Sequence, residues 1–132
     1  IIVSSIQVIA NGHGWEKWGN FPLEREKLLS LLLGSNTKLT IILSGDRHIG
    51  AIYNYSSNGT NTNIYELTSS SLNKSITGIR EFGPNRISDI IDVNNIGMLH
   101  IDWIKQKLRL SLHSAEKNNK SNLVEHIIDF ND

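Results

Sequence analysis

The chain has 132 residues, which suits one domain or part of a larger one, and a hydrophobic fraction of 39% is enough for a core. Lys plus Arg and Asp plus Glu stand at 13 each, so no basic excess argues for nucleic-acid binding. The absence of cysteine removes disulfides, thiolate metal sites and a cysteine nucleophile, and no apolar run approaches the roughly 20 residues of a transmembrane segment.

Ile1 to Ala10 is rich in β-branched residues and reads as a strand interrupted by Ser4-Ser5. Because Ile1-Ile2-Val3 is already strand-like, the chain is expected to continue a structure begun upstream. Asn11-Gly12-His13-Gly14 reads as a flexible loop, followed by an aromatic and polar stretch from Trp15 to Phe21-Pro22. Pro22 suits a helix start, and Glu24 and Glu26 favour the helix dipole. Leu28, Leu29, Leu31, Leu32 and Leu33 supply a wide apolar face, and Gly34 or Ser35-Asn36 closes the helix.

Lys38 to Ser44 is a continuous apolar run expected to form a strand buried on both faces. Ile49–Tyr55 and Ile64–Ser69 read as further strands, joined by a turn over Ser56–Asn63. Asn73 to Asn94 lacks a sustained period and reads as a long loop, with room for a short helix. Ile96–Trp103 and Lys107–Ser114 alternate apolar and polar, which predicts an antiparallel hairpin, and Leu123–Phe130 reads as one more strand. The expected fold is α/β (α+β), a mixed sheet with one strong helix and a terminal antiparallel hairpin. The division falls into an α/β portion over 1–95 and terminal strands over 96–132. Asn-x-Ser/Thr triplets at Asn54, Asn58, Asn73 and Asn119 are expected by chance in a chain so rich in Asn.

The segment richest in chemistry is Thr40-Ile41-Ile42-Leu43-Ser44-Gly45-Asp46-Arg47-His48. A buried strand delivers a glycine and then two metal-ligand residue types at its C-terminal end, the edge where open α/β sheets build sites. If the segment stays extended, Asp46 and His48 point to one side and Arg47 to the other. A carboxylate suits ferric iron or calcium, and a neutral imidazole suits a transition metal. Two ligands cannot hold a metal alone. The competing reading of this tetrapeptide is a turn with a capping Asp and a surface His.

The order of Trp18-Gly19-Asn20-Phe21-Pro22-Leu23-Glu24-Arg25, then Ser44-Gly45-Asp46-Arg47-His48, then Glu66-Leu67-Thr68-Ser69-Ser70 resembles the C-terminal part of PhoD-like alkaline phosphatases. These belong to the calcineurin-like metallophosphoesterases, whose fold is a layered β-sandwich. The resemblance covers about residues 1 to 75. It implies a phosphomonoesterase or phosphodiesterase with two metal ions, ferric iron and calcium, acting on a phosphate ester through a metal-bound hydroxide or oxide. Asp46 and His48 would then be metal ligands on the last metal-binding loop. The family's other ligands lie in upstream motifs, an Asp-x-x-Tyr and an Asn-Asp pair. Neither occurs here before Asn131-Asp132, so the N-terminal half of the domain would have to supply them. Export is common in the family, which implies an extracytoplasmic location. The alternative is a truncated relative serving as a non-catalytic binding or structural module. An unrelated domain carrying an accidental Gly-Asp-Arg-His is a further reading.

Four residues are weaker candidates for substrate binding. His13, between two glycines, is either an exposed loop residue or a substrate-side histidine. Trp18, like Phe21, either packs at the helix start or walls the cleft. Arg25 either sits in the helix's first turn beside Glu24 and Glu26 or contacts phosphate. Arg47 either forms an ion pair or reaches a substrate phosphate. Glu66 reads as part of a strand, Ser69–Ser71 as its cap, and His100 and His113 as exposed strand residues.

Overall fold

A computed structural model describes residues 1–57, 62–116 and 121–130. In chain order they form β1 (Ile2–Ser4), a 3-10 turn (Trp18–Asn20), α1 (Pro22–Leu33), β2 (Leu39–Ser44), β3 (Gly50–Ser56), β4 (Asn63–Ser69), β5 (Asn95–Asp102), β6 (Lys107–Ser114) and β7 (Asn122–Asp129). The fold is α+β with two sheets and one helix. The first sheet runs β1-β2-β4-β3, with β1, β2 and β4 parallel and β3 antiparallel to β4. The second, β5-β6-β7, is antiparallel throughout.

Strand alternation distributes the first sheet's side chains between two cores. Ile42, Ala51, Tyr53 and Ile64 face α1 and pack with Leu29, Val8 and Ile9. Ile41, Ile52 and Leu67 face the second sheet and pack with Leu108, Leu110, Leu112 and Ile128. The first sheet is therefore a middle layer covered on both sides, which is why β2 reads as an unbroken apolar run.

Pro22 opens α1, and Glu24 sits in its first turn. Only part of the expected leucine face is used. Leu29 is buried, with Leu28, Leu32 and Leu33 packed beside it, while Leu31 lies 65% exposed. The span of 73–94 holds no helix. It runs along the outer edge of β3 instead, with isolated bridges from Ile91 to Gly50 and from Arg86 to Tyr53. Its backbone exchanges hydrogen bonds with Gly50 in both directions at 2.8 Å, which closes that edge.

The expected strand over Ile1–Ala10 is corrected. Pairing stops at Ser4, whose hydroxyl donates to the Ile6 carbonyl at 2.7 Å and turns the chain away from β2. Gln7, Val8, Ile9 and Ala10 are then almost wholly buried without belonging to any strand. Buried backbone needs hydrogen-bond partners, and here side chains supply most of them. Glu66 Oε1 accepts from the Val8 amide at 2.8 Å, and Oε2 accepts from Ile9 at 2.7 Å and Ala10 at 3.3 Å. Arg25 donates to the Val8 carbonyl at 2.7 Å and to the Ile9 carbonyl at 3.1 Å. The Trp18 amide donates to the Gln7 carbonyl at 2.8 Å.

Candidate functional site

β2 ends at Ser44, between the C-terminal ends of its parallel neighbours β1 and β4. Gly45 to His48 form a turn here and do not continue the strand. Asp46 and His48 have φ of 62° and 55°, the left-handed region that non-glycine residues rarely enter. Each such residue stores about 1–3 kcal/mol of backbone strain unless its surroundings hold it. The extended geometry expected for Asp46 and His48 is thus corrected, and alternation along a strand does not govern their side chains. The physical reason is Ser70, at the end of β4. Its hydroxyl accepts from the backbone amides of Arg47 at 3.0 Å and His48 at 2.8 Å, and donates to the Ile49 carbonyl at 3.3 Å. The His48 carbonyl accepts from the Ile76 amide at 2.9 Å, which ties the turn to the loop beyond.

The three residues of the turn part company. Asp46 is exposed, Arg47 is buried with 3% of its surface accessible, and His48 is half-buried. Nδ1 of His48 is buried with no hydrogen-bond partner among the described residues. Arg47 forms an ion pair with Glu81, from the loop along β3, and its guanidinium lies 5.5 Å from the centre of the Trp15 ring. Its Nε is buried and has no hydrogen-bond partner among the described residues.

The His13 loop lies close to Arg47. The Arg47 and Lys17 charges join burial, the largest cause, in holding the His13 imidazole down at about 4, so it is neutral at pH 7. Nδ1 of His13 accepts from the Trp15 amide at 3.2 Å. In a neutral imidazole the other nitrogen then carries the proton. Nε2 of His13 is therefore an N–H donor, and it is buried with no acceptor among the described residues. Lys17 braces the loop from within, donating to the carbonyls of His13 at 2.7 Å and Trp15 at 3.3 Å and to Asn20 Oδ1 at 3.1 Å. Gly12 lies so close to the Glu81 loop that a Cβ would fall 1.6 Å from the Phe82 carbonyl oxygen. Only glycine allows that approach.

The remaining candidates serve the frame. Trp18 packs against the helix-side core and donates from Nε1 to Ser4 Oγ at 3.1 Å. Arg25 is committed to the Val8 and Ile9 carbonyls, away from the turn that carries Asp46. His100 is exposed on β5, while His113 is half-buried and bonds through Nε2 to Ser111 Oγ at 2.9 Å. Below the site a polar network crosses the sheet. Gln7 Nε2 donates to Thr68 Oγ1 at 2.9 Å and Tyr53 Oη at 3.2 Å, and Thr68 Oγ1 shares a hydrogen bond with Ser44 Oγ at 2.9 Å. Burial first of all pushes the Tyr53 phenol up to about 12, so it stays protonated.

Sequence reading missed Trp15, Lys17 and Glu81 as neighbours of this site, and the clamp made by Glu66. Glu66 carried a signal, a charged residue inside a run destined for burial. Glu81, in a loop without periodicity, carried none.

A groove of about 480 Å³ lined by Leu43, Leu67, Ser70 and Ile96, among others, adjoins the turn through Ser44 and Ser70. Asp46 and His48 do not line it. Among the described residues no group of three or more His, Cys, Asp or Glu side chains is placed to hold a metal ion. No helix in the described residues is long and apolar enough to cross a membrane. Comparison with known proteins found no matching family model, curated protein or solved structure.

Proposed function

We propose that this chain is the C-terminal part of a PhoD-like, metal-dependent phosphoesterase, in which the 45–48 turn donates the last two metal ligands, Asp46 and His48. The observation that carries this reading is the turn itself. Two residues of metal-ligand type adopt left-handed backbone at the C-terminal end of a buried parallel strand, and one of them keeps a buried nitrogen without a partner. Strain of this kind concentrates at sites where side-chain direction matters more than stability.

The donors suit the ions that the resemblance implies. Asp46 offers an exposed carboxylate to a hard ferric or calcium ion, and His48 offers Nδ1 to iron. Both ions require more donors than this pair, so the remaining ligands would come from upstream sequence. When bound, such ions polarise the phosphoryl group and lower the pKa of water. The chain's own contribution is to orient the ester. Nε2–H of His13 and Nε–H of Arg47 are two buried donors without acceptors among the described residues, and both chemistries suit phosphoryl oxygens. The neutral His13 adds a hydrogen bond without adding charge, and the Glu81 partner keeps Arg47 in place.

The experiment is made on a longer chain that includes upstream sequence. Asp46→Asn and His48→Ala should each lose bound metal and abolish hydrolysis of nitrophenyl phosphate and bis-nitrophenyl phosphate while keeping the fold. Normal turnover and metal content in both variants would sink the assignment. A second reading is a truncated, non-catalytic relative acting as a binding or structural module. It is favoured by the finding that no three His, Cys, Asp or Glu side chains among the described residues are grouped to hold a metal ion. It predicts that the longer chain takes up no iron or calcium at all.

A further inference from the structure

We infer that Glu66 and Arg25 act as a positioning pair, holding the segment 8–10 from both sides so that His13 presents its donor beside Arg47. The inference rests on the proposed phosphoesterase site, in which His13 faces the substrate. A strand would hand its amides and carbonyls to a neighbouring strand, whose own position can vary with the sheet. Here the Val8, Ile9 and Ala10 amides converge on one carboxylate, and the Val8 and Ile9 carbonyls converge on one guanidinium. Both clamping groups sit on regular elements, Glu66 on β4 and Arg25 in the first turns of α1. The irregular segment thereby takes its position directly from the two layers that enclose it.

Beyond the clamp lies the loop of His13, three residues after Ala10. Its far side is fixed by the close approach of Gly12 to the Phe82 backbone and by the Lys17 hydrogen bonds. The near side packs into the helix-side core, and among the described residues its side-chain hydrogen bonds come from Glu66 and Arg25. The strand that carries Glu66 at its middle leads to Ser70, one residue past its end, which holds the Arg47 and His48 amides. β4 therefore sets both walls of the site, one through a carboxylate and the other through a hydroxyl four residues on. An amide in place of the Glu66 carboxylate would turn an N–H toward backbone N–H groups and push the segment away.

The test tracks the His13 ring by NMR across pH in the full chain, against the charges that face it, Arg47 and Lys17. Wild type should titrate at about 4. Glu66→Gln and Arg25→Met should each release the loop and raise the His13 midpoint toward its ordinary 6.5. Arg25→Lys, which keeps a donor and a charge, should recover part of the shift. Leu110→Ala, in the core between the sheets, lowers stability without touching the clamp and should leave the midpoint where it is. Folded Glu66→Gln and Arg25→Met proteins with His13 still at about 4 would overturn the inference. So would collapse of both into unfolded chains, because the pair would then hold up the fold as a whole. The measurement needs neither metal nor turnover, so failure of the phosphoesterase reading shows separately, as unaltered hydrolysis in Asp46→Asn.

Discussion

The Ser70 hydroxyl sits 2.8 Å from the backbone nitrogen of His48, and through this contact the end of β4 shapes the end of β2. Two amides of a strained turn share this one acceptor. Ser70→Ala should leave both without it and cost about 1–3 kcal/mol, the range for orphaned buried donors. Urea unfolding measures this directly. Ser70→Thr retains the hydroxyl and should recover most of the loss. An unchanged midpoint in the alanine variant would show that water takes over the role.

Stability should depend on pH through His13. Its folded midpoint of about 4 lies below the ordinary 6.5, so the unfolded chain takes up the proton first as pH falls. The native state then binds fewer protons over this window, and the stabilisation is complete above 6.5 and lost as pH falls towards 4. His13→Gln should flatten the stability profile between those values relative to wild type. Parallel profiles for the two proteins would refute the assignment of the slope to His13. The ring is only partly buried, and solvent screening keeps the effect modest.

Gly12 has no room for a side chain. A Cβ placed 1.6 Å from the Phe82 carbonyl oxygen forces either loop to move. Gly12→Ala should therefore cost at least about 1–3 kcal/mol, the usual range for overpacking. The same variant should disturb the His13 ring resonances more than those of His126 on β7. Equal disturbance of the two rings would argue against a local cause.

Arg47 and Glu81 form a buried ion pair, 3% and 12% exposed. Removing one partner leaves a desolvated charge, which costs about 3–5 kcal/mol. Glu81→Gln should fall in that range, and the pair Arg47→Met with Glu81→Leu should cost less than the two single changes summed. A thermal unfolding cycle over the four proteins decides it. Strict additivity would mean that the two charges act independently.

The elements that hydrophobic period alone can specify were readable. β5 and β6 alternate because one of their faces meets the first sheet, and β2 is continuous because both of its faces are covered. Gly34 and Pro22 bounded α1 for local reasons of geometry. The stretch from Gln7 to Ala10 was misread as strand because its apolar, β-branched residues suit either outcome. What separates the outcomes is Glu66, more than fifty residues away, which competes successfully for the amides. Asp46 and His48 were legible as residue types at a strand end. Their left-handed backbone was not, since it depends on a hydroxyl from another strand. Glu81 was hidden because an irregular loop gives no clue to which charge it meets.

β1 stands at the open end of the first sheet, three residues long, with Ile1 and Val3 exposed to 72% and 79%. Among the described residues no strand pairs with the outer edge of β1, and such an edge offers a hydrogen-bonding template to any extended peptide nearby. In a concentrated solution the most available peptide is another molecule of the same kind. Heterologous contacts that do not close propagate as filaments. Where upstream sequence of a longer chain does not cover that edge, dilution should lower the fraction of molecules joined through it. A short peptide complementary to β1, added during refolding, would act as a solubility tag that needs no fusion.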